Sequence, residues 1–184
     1  MTMQHQVRTS LVLSALLTLW GSASAAPMTK SEFDSAKTRI GADYKSDKAA
    51  CDSLAMNAKD ICIEEAKGKE KVAYAELDFT FSGKPADHTK VLVAKAESAY
   101  AVAKERCDDK AGNDKDVCVK EAKAAETTAL ADAKAGKKIS EARKDAAADK
   151  RDAEYKVAAE KCEALAGEAK AACVSAAKSK FGKA

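Results

Sequence analysis

All six cysteines of this chain fall in one frame that occurs three times. A Tyr is followed seven positions later by a Cys, eleven later by a second Cys, and four later by Ala-Lys. The copies are Tyr44, Cys51, Cys62, Ala66, Lys67; Tyr100, Cys107, Cys118, Ala122, Lys123; and Tyr155, Cys162, Cys173, Ala177, Lys178. They step by 56 and then 55 residues. A repeat of this length is one supersecondary unit copied along the chain, so whatever one unit folds into, the protein contains three times. Inside the frame an acid follows the first Cys (Asp52, Asp108, Glu163). A Lys precedes the second by three (Lys59, Lys115, Lys170), and a branched apolar residue follows it (Ile63, Val119, Val174).

Two conformations fit such a frame. On one unbroken helix the two thiols would share a face but stand about 16 Å apart, beyond the reach of a disulfide. The stretch between them argues for a reversal instead. Met56-Asn57, Gly112-Asn113 and Gly167-Glu168 occupy its middle. In two copies a Gly stands where a helix ends in a left-handed residue, and Asn113 or Asp114 then offers an oxygen to cap the return helix. Met56 departs from that pattern. The unit therefore reads as helix, tight turn, helix, with Cys51–Cys62, Cys107–Cys118 and Cys162–Cys173 as the staples. Each would contribute about 3 kcal/mol by restricting the unfolded chain. Tyr44, Tyr100 and Tyr155 lie two turns before their cysteines, on the same face, and are expected to pack beside the disulfide against the return helix.

Disulfides require an oxidising compartment, and the N-terminus supplies a route to one. Residues 1–10 carry Arg8 and no acid, Leu11–Trp20 is apolar but too short to span a bilayer, and Ala23-Ser24-Ala25 fits small-residue cleavage. Residues 1–25 thus read as a cleaved signal peptide, which leaves no membrane anchor and places the protein in the periplasm. The chain carries 32 Lys and Arg against 29 Asp and Glu, with Lys dominant and acids interspersed among the bases. That pattern gives solvated helices with ion pairs three or four residues apart, not the one-signed patch expected of a nucleic-acid binder. Much of the 46% hydrophobic content is Ala, which favours helix but buries little surface.

Along the chain, Thr29 and Glu32 form a capping box. Phe33, Ile40, Tyr44, Cys51 and Leu54 make one stripe of a helix running to about Leu54. The run from Phe79 to Pro85 ends the return helix, and Asp87 is placed to cap the next. Between Ala129 and Tyr155 either a bend at Gly136 or Ser140, or one continuous helix, satisfies the pattern. No strand-like alternation is present. The expected fold is all-α: three tandem disulfide-stapled hairpins, elongated or loosely bundled, over residues 26–82, 83–136 and 137–184.

Catalytic constellations are missing from the sequence. It has no Gly-rich phosphate loop, nucleophile elbow or His-Glu-x-x-His, and adjacent acids such as Glu64-Glu65 and Asp108-Asp109 diverge on a helix. Zinc sites pair ligands two to four residues apart, whereas here ten residues intervene, and His88 reads as a surface loop residue. No enzyme activity, cofactor or metal is expected.

The string Lys161 to Cys173, with its two looser copies, resembles a group of small exported Ala/Lys-rich proteins of Gram-negative proteobacteria, loosely labelled TolA-like or cell-envelope proteins. The resemblance covers most of the chain beyond residue 25. It implies an exported envelope protein and assigns no activity to any residue. The leading expectation is a non-catalytic periplasmic scaffold or stress-related binding factor. Its partner would be an envelope protein or a peptidoglycan-associated component, with self-association open. A thiol-redox or metal-handling protein is the alternative from another class, and a holdase-type chaperone is the third.

Overall fold

A computed structural model describes residues 28–183, and the signal-peptide reading of residues 1–25 lies outside them. The described chain is five helices without a strand: α1 (Lys30–Ala50), α2 (Met56–Ser82), α3 (Pro85–Cys107), α4 (Gly112–Glu163) and α5 (Gly167–Phe181). Each helix packs only on its neighbours in the chain. α1 lies on α2, α2 on α3 and α3 on the first part of α4, while α5 lies on the last part of α4. The chain is a serpentine, not a bundle around one centre.

Local chemistry explains the ends of these helices. Glu32 N–H donates to Thr29 Oγ1 (3.3 Å) and Thr29 N–H to Glu32 Oε2 (2.7 Å), closing the capping box that starts α1. α2 stops where Gly83 takes a left-handed φ of 61° and its N–H donates to Phe79 O at 2.8 Å. Pro85 then opens α3, a position where its missing N–H costs nothing.

Several local expectations are corrected here. Asp87 does not cap α3; it sits inside the first turn, accepting from Ser82 Oγ (2.5 Å) and pairing with Lys90 (2.8 Å). Neither Asn113 nor Asp114 caps α4, whose N-cap is Ala111 with no side-chain bond. α1 ends at Ala50 and gives way to a 3-10 turn, Cys51–Ser53. Tightening the chain there rotates Leu54 off the apolar stripe, and it is 43% exposed. His88 belongs to the first turn of α3, not a loop, and its ring lies against Phe79 with centroids 5.0 Å apart.

Burial follows composition. The buried apolar residues among those described are half-cystines (Cys51, Cys107, Cys162), alanines (Ala66, Ala94, Ala96, Ala133, Ala177), Leu77 and Val91. α1 buries no residue at all and is held by Phe33 on Phe81, 4.7 Å between centroids, and by its staple. The most extensive packing is α2 on α3, which no disulfide joins. There Gly68 faces Ser98 so closely that a Cβ on Gly68 would come within 3.0 Å of the Ser98 Cβ. That close approach is what a helix glycine permits.

α4 settles the choice between a bend and a continuous helix. Its 52 residues run unbroken through Gly136 and Ser140 for about 78 Å, and the 136/137 boundary between repeats falls inside it. α3 covers its beginning and α5 its end. From Lys134 to Lys150 only Ser140 and Ala148 are even half-buried. Its Ala, Lys, Glu and Arg residues have the propensity to stay helical with little packing.

Candidate functional site

The recurring local structure is the staple, and each copy is built the same way. Cys51–Cys62, Cys107–Cys118 and Cys162–Cys173 are disulfides with Cα separations of 5.7, 5.7 and 5.6 Å, and no described cysteine is free. The first sulfur-bearing residue of each pair is fully buried and the second half-buried. Just before each return helix the backbone takes one conformation three times, with φ and ψ of −131° and 160° at Ala55, −131° and 159° at Ala111, and −130° and 161° at Ala166.

The next residue is left-handed in all three: Met56 at φ 50°, Gly112 at 56° and Gly167 at 56°. It opens the return helix and does not close the outgoing one. Met56 thus does what Gly does in the other copies, at a steric cost of about 1–2 kcal/mol, with its side chain 89% exposed. Asn57, Asn113 and Glu168 fall in the first turn of the return helices. Asn57 Nδ2 donates to Glu105 O of α3 (3.0 Å), which ties the first turn to the end of the second hairpin's first helix.

One feature of the staple escaped sequence reasoning. The acid after the first Cys and the Lys before the second are ion-paired across every turn: Asp52–Lys59 at 2.9 Å, Asp108–Lys115 at 2.9 Å and Glu163–Lys170 at 2.7 Å. Each residue type is visible in the repeat, but seven positions is not a helical pairing distance, so only the reversal brings them together. Lys59 also holds the Asp52 carboxyl below its ordinary value, by hydrogen bond first and charge second. The lysine positive charge is thereby engaged by a carboxylate.

Each Tyr faces the return helix. Tyr44 lies in a recess with Ile40, Ala66 and Ala73. Lys123 Nζ stands 4.8 Å from the centre of the Tyr100 ring and also pairs with Glu126 at 2.5 Å, which raises the lysine's pKa. Tyr155 meets Phe181 edge-on at 6.3 Å. Tyr44 and Tyr100 thus face the frame's Ala66 and Lys123, while Phe181 performs that service at the C-terminus.

Between α2 and α3 three ion pairs cross the interface: Glu65–Arg106 at 2.7 Å, Lys71–Glu97 at 2.5 Å and Glu76–Lys95 at 2.7 Å. Beside them runs an open, largely apolar groove floored by Val72, Ala99, Val102 and Ala103. The adjacent acids part company as helix geometry requires: Glu64 pairs with Lys67 in its own helix and Glu65 with Arg106 in the next. Among the described residues no three His, Cys, Asp or Glu side chains converge as a metal site, and no helix is long and apolar enough to cross a membrane. No family model, curated protein or solved structure matches the chain.

Proposed function

We propose that this protein is a non-catalytic helical spacer and docking scaffold of the bacterial periplasm. The observation that carries the reading is the thrice-copied staple. Three disulfides, three turns of one conformation and three cross-turn ion pairs hold in shape a chain whose buried residues are mostly alanine and half-cystine. Such a device suits an oxidising compartment, and the Leu11–Trp20 run followed by Ala23-Ser24-Ala25 has the pattern of an export signal. A row of helices that touch only their chain neighbours leaves long side faces open to an envelope protein or a peptidoglycan-associated component.

Osmotic-shock fractionation of the native host, followed by non-reducing peptide mapping and sedimentation with purified sacculi, tests this. Release as a disulfide-bonded chain starting near Ala26, with binding to sacculi or a site-specific crosslink to an envelope protein, is the expected result. Cytoplasmic retention with free thiols, or stoichiometric metal in the purified protein, sinks the scaffold and favours thiol or metal chemistry.

A further inference from the structure

The bare length of α4 carries a self-complementary stripe, and we propose that it binds the same stripe of a second copy, antiparallel, in a two-fold symmetric dimer. This stands independently of the compartment and of any envelope partner.

Among the described residues the first two hairpins meet at the α2–α3 interface, which no disulfide enforces. Moving α2 forward by 56 residues and α3 by 55, the steps of the repeat, lands on the two halves of α4. Glu65 and Glu76 of α2 become Glu121 and Asp132, while their partners Arg106 and Lys95 become Lys161 and Lys150. The charge pattern that joins hairpin 1 to hairpin 2 is thus written again between hairpins 2 and 3. On the outer faces of the array it is only partly written, Arg39 keeping the charge of Lys95. The α1 positions matching Arg106 and Lys95 are Ala50 and Arg39, and the α5 position matching Glu65 is Ala176. In repeat arrays the inner faces carry the interface and the ends do not.

Yet the two halves of this third interface lie on one straight helix, and one molecule cannot bring them together. All four charged residues are exposed; among the described residues Glu121, Asp132 and Lys161 make no ion pair, and Lys150 meets only Glu154, at 3.9 Å. Val102, half-buried against α2, becomes Val157, which is 57% exposed.

A second copy resolves this. With two α4 helices antiparallel and the dyad between Ile139 and Ala142, Glu121 meets Lys161 and Asp132 meets Lys150, each twice by symmetry. Between those pairs Ala124 meets Val157, Thr128 meets Ala153, and Ala135 meets Ala146. At the centre Ile139, 53% exposed in the single chain, meets Ala142. These positions recur every three or four residues and form one continuous face of the helix. All of them are exposed. The surface is isologous, so it closes at two and does not propagate. Several departures from the α2–α3 pattern weaken it: Val72, Val91 and Ala94 become Thr128, Ala146 and Asp149, Thr127 replaces Lys71, and Ala124 replaces the Gly68 that lets α2 and α3 approach closely.

Sedimentation equilibrium of the disulfide-intact protein tests the proposal at about 100 µM, a hundred-fold above a micromolar dissociation constant. The expected result is a dimer that weakens with salt. Glu121→Lys with Asp132→Lys should weaken it about tenfold or more, since each change repels twice. Adding Lys161→Glu and Lys150→Asp should restore it. Ile139→Asp should abolish it while leaving monomer helicity intact, because the residue lies on the bare stretch of α4 and is 53% exposed there. A monomer at that concentration overturns the proposal, including one in which α4 breaks near Gly136 and folds hairpin 3 back onto hairpin 2. A dimer indifferent to both the reversal and Ile139→Asp overturns it equally.

Discussion

The α2–α3 and α4–α5 pairs are both antiparallel helix pairs, but they are held by opposite means. α2 and α3 share no covalent bond; their buried side chains include Leu77, Val91 and Ala94, and the Gly68–Ser98 contact and three ion pairs join them. α5 has 15 residues, buries Ala177 alone, and is pinned by Cys162–Cys173 with Tyr155 against Phe181. Where the chain can bury branched side chains it packs. Where it has mostly alanine it staples. A helix as short as α5 is marginal in water on its own, so the disulfide there replaces a core.

The largest effect should come from removing that replacement. Cys162→Ala with Cys173→Ala, or reduction, removes about 3 kcal/mol. Hydrogen exchange should show residues 168–181 losing protection while α2 and α3 keep theirs. Equal loss in both regions would erase the contrast. The reciprocal change, Leu77→Ala, should cost about 2–3 kcal/mol, read as a lowered melting temperature with α5 protection unchanged.

A smaller effect sharpens the comparison among the three turns. Gly167→Ala and Gly112→Ala place a Cβ on a left-handed residue and should each destabilise by about 1 kcal/mol. Met56→Gly should stabilise the first hairpin by a similar amount, within the known cost of that conformation. If Met56→Gly destabilises, the three turns are not equivalent.

The smallest effect is the response to acid. Asp52 and Asp152 are held below the ordinary value of 3.8 by Lys59 and Lys183 respectively. A carboxyl lowered in the folded state stabilises fully above its ordinary pKa, and the contribution fades as pH falls through the lowered value. Melting temperature should therefore stay level down to about pH 4 and then decline slightly. Lys59→Ala should shift only the part of that decline due to the first hairpin.

Much of this architecture is legible in the sequence. The period of the cysteine frame, the breakers at Gly112 and Gly167 and the Thr29 capping box all act over a few residues, and local chemistry is what a sequence displays. The errors were also local but subtler. A left-handed residue fits either end of a turn, so the frame does not say whether Gly112 closes α3 or opens α4. Leu54 and Asp87 were misplaced because a single 3-10 turn or a Pro at the first helical position shifts the register by one or two residues.

The staple pairs Asp52–Lys59, Asp108–Lys115 and Glu163–Lys170 lay in plain view as residue types but not as partners, because the distance between them exists only after the chain reverses. By itself the sequence determined three copies of one helical reversal, their disulfide pairing and a chain too poor in large apolar residues for a single core. Tertiary structure alone decided that α2 and α3 pack most extensively and that α4 runs straight where a bend at Gly136 or Ser140 would also have satisfied the pattern. Those choices depend on how closely two helix faces approach, as Gly68 and Ser98 do, and that distance is a property of two segments at once.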